Sequence, residues 1–194
     1  MRKLHKELLG EIDKDRFEVT ETGIYFPRSG VLAKGEYFDR VNGGEWEKAG
    51  NNLVTAEGIT HILNVALGAK AKPAGHFIAL FSGSATPQAN WKASNFTEVA
   101  AEIVSLTEGY TSPTRPAWTP PDTATNSIDN MDSAARVTIA TASQLNVTGA
   151  AVLTASGKGS TTGVLISAFK YAAQRTFQDG DVYDIGYRFS LTSG

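Results

Sequence analysis

"DVYDIGYRFSLT", Asp181 to Thr192, decides how the rest of the chain is read. Tyr183, Ile185, Tyr187, Phe189 and Leu191 alternate with Asp184, Gly186, Arg188, Ser190 and Thr192. Successive side chains of a strand point to opposite faces, so this stretch predicts a strand with one apolar and one polar face. Asp179-Gly180 ahead of it is a turn signal.

The same punctuation runs backwards along the chain. "HFIALFSG", "EVAAEIVSL", "ARVTIATA", "NVTGAAVLTAS" and "TGVLISAFKY" are short strand candidates divided by Gly, Pro, Asn and Ser. From Thr22 to Gly50 the pattern is also strand and turn, with "VNGGEW" placing Asn and Gly where a tight hairpin demands positive φ. Residues 55–67 are the internal helix. Thr55 caps it, Glu57 suits the positive end of its dipole, and Gly68 stops it. Ile59, Ile62, Leu63, Ala66 and Leu67 share one face, with His61 beside it. The fold class predicted is mainly β: a β-sandwich or jelly-roll-like domain with one packed α-helix (about 55–67) and an N-terminal arm.

The arm comprises residues 1–20, and residues 21–194 form a single β-rich domain. Leu4, Leu8 and Ile12 recur every four residues, which fits either a short amphipathic helix over 3–15 or a frayed polar terminus. Between two β regions lies "YTSPTRPAWTPP", Tyr110 to Pro121, with four of the chain's seven prolines. "PTRP" satisfies P-x-x-P, the pattern of a polyproline ligand. Pro116 and Pro120 push the preceding residues into extended geometry, so residues 112–121 read as a stiff connector. Trp118 would pin this connector to the domain, and Arg115 is available to pair with an acid.

Composition narrows the function classes. The chain has no cysteine, which removes disulfides, zinc-thiolate sites and thiol catalysis. Its formal charge of −2 supplies no field for nucleic acid, and no apolar run approaches a membrane span, so it reads as soluble. Residues 1–50 carry nine of the eighteen Lys/Arg and ten of the twenty Asp/Glu, leaving a charge-poor remainder rich in small residues. "SGKGSTTG" fails the phosphate-loop pattern, because Val152 stands where its first Gly belongs and Gly159 follows Lys158. Asp179, Asp181 and Asp184 lack the spacing and closing Glu of a calcium loop. His5, His61 and His76 match no metal or nucleophile motif. No cofactor and no catalytic residue is expected, and the chain is read as a non-enzyme.

The order of these pieces resembles small virion structural proteins of tailed bacteriophages over roughly residues 22–194. The resemblance rests on "NNLVTAEGITHILNVAL", "YTSPTRPAW", "GAAVLTAS" with "TTGVLISAFKY", and the ending "RTFQDGDVYDIGYRFSLT". It implies a decoration or cement protein on the capsid exterior. Its partners would be the major capsid protein and further copies of itself, as a dimer or trimer. A tail, collar or fibre-base protein is the alternative, in which Trp46, Trp91 or Trp118 could stack on sugar rings. Leu4, Leu8 and Ile12 or the strands of residues 22–45 are the candidate grip on the lattice. A polysaccharide hydrolase is a third reading, for which no acid pair stands out.

Overall fold

The computed structural model describes residues 17–19, 25–27 and 31–193. Two compact units divide the chain: residues 1–33 with 191–194, and Lys34–Ser190. In the first, β1 (Phe17–Val19) pairs antiparallel with β2 (Tyr25–Pro27). The candidate arm residues Leu4, Leu8 and Ile12 lie outside the described residues.

Two antiparallel sheets build the large unit, as expected for a β-sandwich. One sheet has the order β4 (Glu47–Asn51), β3 (Val31–Val41), β13 (Val182–Ser193), β10 (Ala135–Ala140), β7 (Gly109–Tyr110), and β9 (Ser127–Asp129) also pairs with β13. The other has the order β5 (Leu53–Val54), β12 (Leu165–Phe177), β11 (Leu145–Leu153), β6 (His76–Phe81), β8 (Ala117–Trp118). The hairpin at Asn42-Gly43 closes as its sequence demands, with φ of 51° and 74° at the two central residues.

β13 behaves largely as its alternation predicts. Tyr183, Ile185 and Tyr187 are buried in the sandwich and Phe189 packs against it, while Leu191 remains partly exposed. Asp184, on the opposite face, is nonetheless buried. Arg136 grips both of its oxygens at 2.6 and 2.9 Å, and Arg40 donates to one at 2.8 Å. Alternation reports the face a residue occupies; it does not report long arginines folding over that face. Between the stretches of β13 paired to β10 and β9, buried Asn130 imitates a strand, accepting from Tyr187 N and donating to Ile185 O.

The five-stranded sheet is buried on both faces. Ile78, Leu80, Ala150 and Val152 fill the space between the sheets, whereas Ala79, Phe81, Ala151 and Leu153 join a second apolar cluster. A helix covers that second face: α2 (Ala93–Ala100), through Ala93, Phe96 and Ala100, with Trp91 beside it. This corrects the strand reading of "EVAAEIVSL". Val99 and Ala100 are apolar because the helix packs on a sheet, and only Glu102 beyond it makes an isolated bridge, to Phe81.

The internal helix, α1 (Ala56–Ala66), begins where Thr55 Oγ1 accepts from Gly58 N at 3.0 Å. It packs against the start of β12 so closely that a Cβ on Gly58 would stand 2.2 Å from Ile166 O. Alanine at 58 therefore tests the packing against intrinsic preference. Helix propensity alone favours Gly58→Ala by about 1 kcal/mol. The backbone collision is expected to override this and give a net loss of about 1–3 kcal/mol in urea unfolding.

Candidate functional site

Two regions gather functional-type side chains. The first is the connector that carries the chain from β7 in one sheet to β8 in the other. Arg115 lies in it with its guanidinium fully buried. Nε donates to Glu102 Oε1 and Nη2 to Glu102 Oε2, both at 2.7 Å, so the pair is bidentate. Glu102 also accepts from Thr97 Oγ1 and Gly159 N, and Arg115 Nη1 donates to Ala155 O at 2.8 Å. Ala101, directly before Glu102, takes the left-handed conformation at φ 53°, which turns the chain sharply out of α2. This corner thus joins the end of α2, the connector and the β11–β12 loop.

Lys158 closes the same corner. Its ammonium stands 3.4 Å from the centre of the Tyr110 ring and donates to Tyr110 O at 2.8 Å. Burial draws its pKa down to about 8, partly opposed by Glu102. The glycine-rich loop "SGKGSTTG" is therefore a tied structural element. Trp118, at the connector's far end, donates from Nε1 to Tyr187 O at 2.9 Å and meets Tyr187 and His76 edge to face. Arg115 and Trp118 are thus both engaged within the domain. Trp91 is buried too, and partly buried Trp46 lies under Arg40.

The second region is the outer surface of α1. The apolar face read from the sequence is split: Ile62 packs inward, while Ile59, Leu63 and Leu67 are 46%, 54% and 85% exposed. The inward face is made by Gly58, His61 and Ile62, because the missing Cβ at 58 sets which side of the helix approaches β12. Three aliphatic side chains spaced four apart thus form an exposed ridge along the helix.

Beside this ridge runs an open cleft of about 470 Å³, lined by Glu57, Thr60, His61, Asn64, Lys70 and Lys92 among others. Glu57 Oε2 accepts from Ala93 N at 2.9 Å and Leu165 N at 2.7 Å, fixing the acid between α2 and β12. His61 is 6% exposed, and its buried Nδ1 has no hydrogen-bond partner among the described residues. Burial, with Lys70 adding to it and Glu57 opposing, lowers its pKa. Lys70 and Lys92 form no salt bridge among the described residues. The sequence marked His61 and the apolar spacing, but the orientation of α1 depends on contacts with β12, more than 100 residues away.

Among the described residues no group of three or more His, Asp or Glu is placed to hold a metal ion, and no helix is long and apolar enough to cross a membrane. The sequence matches no protein-family model and no curated protein.

Two measurements check these assignments. Arg115→Met strands the Glu102 charge in the interior and is expected to cost about 3–5 kcal/mol in chemical unfolding. The combined Arg115→Met, Glu102→Leu variant is expected to lose less than the sum of the two single changes. The second concerns pH. Burial, with His61 and Lys72 adding to it, holds His76 at about 4 instead of the usual 6.5. A neutral folded histidine favours folding fully above pH 6.5, and that contribution is lost as pH falls from 6.5 towards 4. The expected loss is on the order of 2 kcal/mol and is reduced in His76→Asn. Asp184, held below the usual carboxylate value chiefly by Arg136, weakens only at lower pH, so the two windows separate.

Proposed function

We propose that this chain is a non-enzymatic structural protein of a tailed-phage virion, a decoration protein that attaches to the major capsid protein on the outside of the head. The observation that carries the reading is the exposed Ile59–Leu63–Leu67 ridge on a helix that is otherwise locked to a rigid sandwich. Such a ridge is a contact surface that needs no chemistry. The order of sequence elements, which resembles that of small virion structural proteins, supports the virion reading, and the carboxylates of Asp39, Glu102, Asp129 and Asp184 are held in intramolecular ion pairs.

A single ridge of three side chains is small beside the roughly 800 Å² per partner of a standard interface. Repetition compensates. Copies joined as a dimer or trimer on a regular lattice place each further contact at high effective concentration, so weak ridges become avid together. Binding the assembled lattice in preference to its dissociated subunits then stabilises the shell by mass action.

The test is co-sedimentation with emptied heads. Leu63→Asp removes an apolar contact worth about 1.5–3 kcal/mol when buried, so binding should weaken by tenfold or more. Its thermal unfolding should match that of the parent, because the Leu63 side chain is more than half exposed in the free protein. Undiminished binding of the variant, or binding of the parent to isolated tails and not to heads, would contradict the proposal.

A further inference from the structure

The cleft beside the ridge has a chemistry of its own. Its floor holds Glu57, which accepts two backbone N–H groups through Oε2, and His61, whose pKa is lowered chiefly by burial. Its rim carries Lys70 and Lys92, ammonium groups with no ion-pair partner among the described residues, and the amide of Asn64. The His61 residue is nine-tenths buried, and its Nδ1 is without a hydrogen-bond partner among the described residues, which calls for an explanation. Thr60 and Asn64 line the cleft while Ile59 and Leu63 form the ridge, so one helix presents an apolar row and a cationic trough side by side.

We propose that this cleft is a carboxylate-binding pocket, and that it receives an acidic side chain from the protein segment seated on the ridge. The occupant is thus an amphipathic, acidic segment: aliphatic groups on Ile59, Leu63 and Leu67, and a carboxylate between Lys70 and Lys92. Charge decides this choice. Two lysines outnumber the one glutamate in the lining, so the trough attracts a single negative group and repels a basic segment. This deepens the proposed attachment role and rests on it for the identity of the partner. The pocket itself stands on the geometry of α1.

A carboxylate in the pocket also acts on His61. The charged groups that act on the ring are Lys70 and Glu57, Lys92 lines the same cleft, and His76 lies near enough to be affected by His61. An added anion offsets the lysines and favours the imidazolium, so occupancy raises the pKa of His61 and binding strengthens as pH falls.

The experiment follows the ring signals of His61 by NMR in the full chain while a hexaglutamate peptide, acetate or inorganic phosphate is added. The expected result is a saturable shift with the peptide, weaker with acetate, and affinity reduced tenfold or more in the Lys70→Gln, Lys92→Gln variant. Its backbone spectrum should otherwise match the parent's. Unmoved His61 signals, equal affinity in the variant, or saturation by phosphate alone would overturn the pocket. Emptied heads provide the second arm. Peptide binding without head binding supports the pocket and removes the capsid reading. Head binding with silent His61 signals overturns the pocket and leaves that reading intact.

Discussion

The buried pair between Arg115 and Glu102 is the constraint on which the sandwich depends. The chain leaves one sheet at Tyr110 and enters the other at Ala117, so the segment between must pass across the domain in fixed register. A bidentate charge pair supplies direction as well as attraction, since the planar guanidinium admits the carboxylate in one orientation. Prolines at 113 and 116 stiffen the approach to Arg115, and Trp118 completes the crossing by bonding from β8 to a carbonyl of β13. Breaking the pair costs far more than surface ion pairs do, because the remaining partner cannot reach water.

A second set of polar bonds repeats this logic across the sandwich. Arg175 and Tyr183 both donate to Asp39, Tyr183 lies 2.8 Å from the Tyr171 hydroxyl, and Tyr37 reaches Ser167. The Arg175–Asp39, Tyr183–Tyr171 and Tyr37–Ser167 contacts join one sheet to the other, and Tyr183–Asp39 ties β13 to its neighbour β3. Burial raises the pKa of Tyr37 and Tyr183 well above the usual value, so both hydroxyls stay protonated and available as hydrogen-bond donors. Tyrosines serve here because the ring fills apolar space while the hydroxyl meets its partner at the far side.

Much of the architecture was legible in the residues. The alternation at 182–189, the Asn42-Gly43 turn and the cap at Thr55 each follow from local stereochemistry, and the structure holds all three. Less was legible where long-range packing decides. The apolar residues of α2 suit a strand as well as a helix, and a neighbouring sheet selects between them. The apolar row of α1 looked like a packing face until Gly58 showed which side meets β12. The acid that joins Arg115 could not be read either, since Glu102 lies beyond a left-handed residue and approaches only through the fold. His61 stood out in the sequence as an isolated histidine. The cleft around it is assembled from α1, the residues ahead of α2 and the β11–β12 loop.

The claim that α1 is the contact surface is tested most directly by carbene footprinting of the protein free and bound to emptied heads. Ile59, Leu63 and Leu67 should label strongly in the free protein and lose most of that labelling on the particle. Val104 and Leu106, comparably exposed elsewhere on the domain, serve as the internal reference and should label equally in both states. Labelling of the α1 ridge that persists on the particle, with protection appearing elsewhere, would contradict the account.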